Sequence, residues 1–397
     1  MIDRNDDQAS ARDAAIVYLK TLKPTEAAFE QFLVQFKSPK AITLENIILG
    51  VKAFLKIATL SPEERAHFYG NSLLGIHDNH SLVQAWHKTG AIKIDPTDFD
   101  SFVTGEWHKI NERPYMALVY DGHNPAQALD HLLAGPTVLD CGMFCQLGIW
   151  FGFRYVLGDE QFNDIMALSP LYITQFNYQK NSQTPHLGNP LFRFFTITAE
   201  SHNPMLQLNC VFNINEYKFK HPAGHYKQHN CIVIDGLYYI QEKNKGLTRS
   251  ELEDFLLQAY NNNPDDQDKA FIDEAFHDPD LLEGIDPHKD WGWDNFASEH
   301  DALTYSTYTK EEFLQQPRRS SEDHFGGVFT LDLQKVHLFY KHYKEKKHRT
   351  EHPQSTPFHG MNPFVLMPMH AIAEVSSPKK RPREGRVEET PQGSFLN

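Results

Sequence analysis

The chain has 397 residues, 40% of them apolar and 12% aromatic, enough for one large folded domain with additions or for two domains. Its formal charge of −14 argues against non-specific nucleic-acid binding by the whole chain and mainly supports solubility. The opening Met-Ile-Asp-Arg-Asn-Asp-Asp is polar and acidic, so no signal peptide is expected there. No apolar run reaches the roughly 20 residues of a spanning helix, so no membrane partner is expected either.

Four cysteines, Cys141, Cys145, Cys210 and Cys231, are too few for a disulfide framework in a chain this long. They point to a reducing compartment. Their spacing fits no zinc pattern, and no metal or other cofactor is expected.

Residues 1–75 read as a helical N-terminal subdomain. Ala14, Ile16, Val17, Leu19 and Leu22 recur at helical spacing, as do Phe29, Phe32, Leu33 and Phe36, and then Ile47, Ile48, Val51, Phe54, Leu55 and Ala58. Ser61-Pro62-Glu63-Glu64 is a helix start with a Ser cap and Pro at the first position. A second domain is expected over 76–375. In it, Asn124 to Leu133 reads as a short capped helix. A buried helix then runs from Cys141 to about Leu157, with Gly158 as its C-terminal cap.

Strands are expected at 194–198 and 208–212. A hairpin over 229–240 turns at Asp235-Gly236. Leu247 to Leu252 opens another helix, and 327–333 is a late strand. The acidic stretch 277–300, with His277, His288, His300, Trp291 and Trp293, reads as a surface loop without a metal-ligand spacing. From 376 to 397 the chain is rich in Pro, Lys, Arg and Glu and is expected to be a disordered tail.

The chemistry centres on Asp140-Cys141. A thiol in the first turn of a helix lies at the positive end of the helix dipole, which favours thiolate, the nucleophilic form. Cys145, one turn deeper, reads as core. Two histidines, His225 and His229, are candidate bases near the start of the following strand. From His229, alternation carries Cys231 and Val233 on the same face. Tyr239, Gln241 and Glu242 are candidates for the group that orients the imidazole.

These residues carry a resemblance. Ala128-Leu129-Asp130-x-Leu132-Leu133, Asp140-Cys141, the apolar helix with Tyr155, and Leu157-Gly158-Asp159-Glu160-Gln161-Phe162-Asn163 resemble bacterial spore-coat protein-glutamine gamma-glutamyltransferases. So do the later Gly224-x4-His229-Asn230 and Tyr238-Tyr239. The resemblance covers about residues 120–245. It implies an α+β protein with a papain-like, NlpC/P60-type core. It makes Cys141 the nucleophile and Asp140 the acid before it, and it puts His229 where the family has a glutamate. The substrate side would include Asn230, Tyr239, His225 and Trp150, with Gln241 as orienter. The implied partner is a protein that donates a glutamine to a lysine amine or to water; no nucleic acid or membrane is involved. With His for Glu, hydrolysis (deamidation or proteolysis) stands beside transfer, and a non-catalytic binding module is the alternative of another class.

In the tail, Pro378-Lys379-Lys380-Arg381-Pro382-Arg383 resembles a nuclear-localisation signal. Glu384, Glu388 and Glu389 followed by Phe395-Leu396 resemble the C-terminal signal of type IVB-secreted effectors. Together they imply delivery into the cytoplasm or nucleus of a host cell by a route other than Sec.

Overall fold

The computed structural model describes residues 14–78, 81–82, 85–86, 102–103, 105–112, 115–167, 171–174, 190–198, 205–222, 224–266, 268–270, 306–320 and 328–351. The expected loop at 277–300 and the tail at 376–397 lie outside them. In chain order the longer helices are α1 (14–21), α2 (Ala27–Val34), α3 (Leu44–Ala58), α4 (Pro62–Tyr69), α5 (Pro125–Ala134), α6 (Cys141–Met166), α7 (Arg249–Asn261), α8 (Lys310–Gln315) and α9 (Leu333–Glu351), with a single helical turn at Tyr217–Lys220.

Local chemistry sets several helix starts. The Glu64 N–H donates to Ser61 Oγ at 3.2 Å, and the Ser61 N–H donates to the Glu64 carboxylate at 2.8 Å, a complete capping box for α4. Thr248 and Glu251 build the same box for α7. Asn124 caps α5, with Pro125 following it.

A five-stranded antiparallel sheet carries the core. Its strands are β6 (Phe195–Thr198), β7 (Gln207–Phe212), β8 (Gln228–Ile234), β9 (Leu237–Tyr239) and β10 (Val328–Leu331), in the order β6-β10-β7-β8-β9. Asp235 (φ 54) and Gly236 (φ 76) form the left-handed pair that a tight β8–β9 turn requires. Alternation along β8 divides two cores. Ile232 and Ile234 face α6 in the main core, while Cys231 and Val233 face Leu252, Leu256 and Tyr260 of α7. Two smaller sheets complete the fold: β2 (His108–Glu112), β3 (Tyr115–Tyr120) and β5 (Leu171–Thr174), and a parallel pair of β1 (Ile76–His77) and β4 (Thr137–Val138). The architecture is mixed α and β. Among the described residues no helix is long and apolar enough to cross a membrane.

The boundary expected at residue 75 does not separate two cores. Phe54 of α3 packs on Phe144 and Phe151 of α6, with ring centroids 5.3 and 5.2 Å apart, and Phe36 meets Phe151 at 5.4 Å. The N-terminal helices cover α6 because its apolar residues run all round, so one sheet cannot bury them all. Ala15 and Leu19 are the buried residues of α1, whereas Val17 is 65% exposed.

The break expected at Gly158 is present (φ 70, ψ 161), but helical backbone resumes and runs to Met166. A Cβ on Gly158 would lie 2.7 Å from Pro39 N, so close approach and left-handed φ both demand glycine. Inside α6 the buried Arg154 guanidinium pairs with Asp130 of α5 and with Asp159 at 2.7 Å. Asn163 Oδ1 accepts from the Ala126 N–H at 2.8 Å. Of the residues that carry the resemblance, Asp130 and Asn163 therefore fasten α5 to α6 in this chain, while Gly158 and Asp159 meet the segment at residues 36–39.

Candidate active site

Asp140 is the N-cap of α6: its Oδ1 accepts from the Met143 N–H at 2.8 Å, and Cys141 is the first helical residue. The parallel β1–β4 pair leads into this cap, with the Leu139 N–H donating to the His77 carbonyl at 3.2 Å. Gln241 Nε2 donates to the Leu139 carbonyl at 3.3 Å. Gln241 thus holds the backbone in front of the thiol. That contact replaces its expected role as orienter of the imidazole.

Asn230 reaches the sulfur. Its Nδ2 lies 3.1 Å from Cys141 Sγ, and its backbone N–H points at the same atom at 3.5 Å. Residue 230 shares a face of β8 with Ile232 and Ile234, the face that meets α6.

The expected Cys141–His229 pair is not formed. His229 is one residue earlier, so its ring occupies the opposite face of β8. There it stacks on Tyr226 at 5.4 Å and meets Phe255 of α7 at 5.3 Å. Cys231 and Val233 do share that face, as alternation implied, but it turns away from α6. No hydrogen bond joins His229 to Cys141. Glu242 Oε1 lies 3.7 Å from His229 Nδ1.

Trp150 is also misplaced by the expectation. It lies nine residues down α6 from Cys141, roughly 13 Å by helical rise. It is buried against Phe153 and Phe162, with its Nε1 donating to the Tyr172 carbonyl at 3.2 Å. It is core and lines no cleft at the thiol. Tyr239, opposite Ile232, lies half-buried on the α6 side of the sheet. His225 begins the single turn before β8; its side chain lies outside the described residues, as does Trp291.

The electrostatics also depart from expectation. Burial, then the Asp140 and Glu242 charges, push the Cys141 thiol up to about 12, against the lowering by the Asn230 hydrogen bonds. The helix dipole therefore does not leave this thiol ionised at neutral pH. Burial lowers His229 to about 4, so the imidazole is neutral. Burial raises Glu242 to about 7, with Asp78 adding to the rise. Cys145 and Cys210 are buried thiols held well above their ordinary value, and all four cysteines are free. Among the described residues no group of three or more His, Cys, Asp or Glu is placed to hold a metal ion.

Sequence reasoning weighed Glu242 only as an orienter, and it named Asn230 for the substrate side without its contact to the sulfur.

No family model matches this chain, and no curated protein or solved structure matches it either.

Proposed function

We propose that this chain is a cysteine-dependent acyltransferase of papain-like type that acts on protein glutamine side chains through a thioester on Cys141. The observation that carries the reading is the thiol itself. It is partly exposed, stands at the first position of a long buried helix, and receives a side-chain donor from Asn230 at 3.1 Å. A core cysteine has no need of that arrangement.

In the proposed reaction the thiolate attacks a carboxamide carbon. The first-turn amides of α6 face no intrahelical carbonyl and stabilise the oxyanion, with Asn230 Nδ2 beside them. Ammonia leaves and a thioester remains. A lysine amine then resolves it as an isopeptide, or water resolves it as glutamate. The partial exposure of Cys141 favours water in the second reading, glutamine deamidation. The tail motifs extend the proposal to delivery into a host cell.

The test is incorporation of a fluorescent primary amine into host-cell lysate proteins by wild type and by Cys141→Ala, with mass spectrometry of the same samples. Label lost in the variant supports transfer. One-dalton shifts without label support deamidation, and new chain termini support proteolysis. Indistinguishable lysates would overturn the acyl-transfer reading and favour a binding module.

A further inference from the structure

Two N–H groups of one residue approach Cys141 Sγ: Asn230 Nδ2 at 3.1 Å and the Asn230 backbone N–H at 3.5 Å. The sulfur is the acceptor of both, and the side-chain amide is turned with its nitrogen towards it. The amide oxygen is left over. Among the described residues Asn230 Oδ1 has no hydrogen-bond partner, although the atom is buried and the whole residue is only 6% exposed. A buried amide oxygen ordinarily finds a donor, and leaving one unpaired costs stability.

The other polar groups of the site are held elsewhere. Gln241 directs its Nε2 to the Leu139 carbonyl. Asp140 accepts from the Met143 N–H with its side chain and from the Phe144 N–H with its carbonyl. The His229 ring lies on the opposite face of β8, stacked on Tyr226. Two features remain beside the sulfur. On the β8 side stands the acceptor Oδ1. On the other side the Cys141 and Gly142 amides open α6 and have no carbonyl within the helix to meet.

These two sides match the two ends of a carboxamide. Near-attack geometry puts the reacting carbon about 3–3.5 Å from sulfur, with its oxygen and nitrogen each one bond further. With the carbonyl oxygen at the start of α6, the –NH2 nitrogen falls on the β8 side. Oδ1 stands there, one bond angle beyond the Nδ2 that touches the same sulfur.

We propose that Asn230 is a specificity-determining residue whose Oδ1 accepts an N–H of the substrate's side-chain carboxamide, selecting carboxamides over carboxylates and esters. The assignment rests on the acyl-transfer reading and names the substrate class of that site. A carboxylate or an ester brings no N–H, so it leaves Oδ1 unpaired and sets oxygen lone pairs against it. The glutamate that water would form is repelled in the same way. Because Oδ1 is screened from bulk water, no solvent donor compensates for a missing N–H, and selection of this kind is strong.

The test uses the full chain with benzyloxycarbonyl-glutaminyl-glycine and the matching glutamate γ-methyl ester. Ammonia release and methanol release give kcat/KM for amide and ester. The amide-to-ester ratio is compared among wild type, Asn230→Ala, Asn230→Leu, Asn230→Asp and Cys141→Ala. The Ala and Leu variants remove the acceptor at two different volumes, so a folding defect in one leaves the other to report. Each should lower the ratio about tenfold or more, the effect of one lost hydrogen bond. Asn230→Asp keeps an acceptor but loses the donor to sulfur. Both its rates should fall, with the ratio within about threefold of wild type. Misfolding or a weaker thiolate slows both substrates alike and leaves the ratio where it was. The proposal is overturned if the ratio in folded Asn230→Ala or Asn230→Leu stays within threefold of wild type, or if Asn230→Asp lowers it as far as they do. A wild type that turns over neither peptide, or that Cys141→Ala matches, overturns the acyl-transfer reading, and this assignment with it.

Discussion

Asn230 donates from Nδ2 to Cys141 Sγ at 3.1 Å, from the face of β8 that His229 does not share. This bond opposes the rise that burial and the two nearby carboxylates impose on the thiol. Asn230→Ala should therefore push the thiol still higher and slow its alkylation. Loss of a hydrogen bond to a charged sulfur, about 1.5 kcal/mol, corresponds to roughly tenfold in rate. An unchanged alkylation rate would show that the contact does not act on the thiolate.

Asp140 both caps α6 and holds a negative charge beside the thiol, and two substitutions separate these effects. Asp140→Asn keeps an acceptor for the Met143 N–H while removing the charge, so alkylation of Cys141 should accelerate with little change in stability. Asp140→Ala loses the cap as well and should cost about 1 kcal/mol in denaturant unfolding. Equal destabilisation by both variants would contradict the division.

His229 and Glu242 give the fold opposite pH dependences. His229 is depressed to about 4, so the folded state binds its proton less readily than the unfolded chain. Its contribution is intact above the unfolded value near 6.5 and is lost as pH falls through about 4. Glu242 is raised to about 7, so its contribution is intact below the unfolded value near 4.5 and is lost as pH rises through about 7. Urea unfolding across pH 4–8 should show His229→Leu with a flattened acid limb. Glu242→Gln should gain about 1–2 kcal/mol over wild type at pH 8, allowing for the partly solvated carboxyl, and nothing near pH 4. The idea fails if the two variants titrate alike.

Arg154 is fully buried between Asp130 and Asp159. Arg154→Met fills similar volume but leaves the Asp130 and Asp159 carboxylates without their cation, and should cost about 3–5 kcal/mol. The double change Arg154→Met with Asp130→Leu should recover part of that loss, which thermal unfolding can measure.

The local signals of the sequence were sufficient for the parts of the fold that depend on a few neighbouring residues. The Ser61 capping box, the Asp235-Gly236 turn, the Gly158 break and the start of α6 at Cys141 each follow from side-chain chemistry within one turn of chain. The three-stranded sheet of β2, β3 and β5 was less legible. His108-Lys-Ile-Asn-Glu is mostly polar and becomes a strand by pairing with β3.

The site divides in the same way. The thiol at a helix start was readable from Asp140-Cys141 and the apolar run behind it. Which residue meets that thiol was not, because a β-strand reverses its side chains at every residue. Only the docking of α6 on β8 decides that Asn230 faces sulfur and His229 faces α7. The protonation of the thiol was equally hidden. The helix dipole is a local property, but the burial and carboxylate charges that outweigh it come from Asp140, from Glu242 about a hundred residues away, and from the walls of the core. Sequence determined that a cysteine stands ready at a helix start; tertiary packing decided its partners and its charge, because both depend on which surfaces are pressed together.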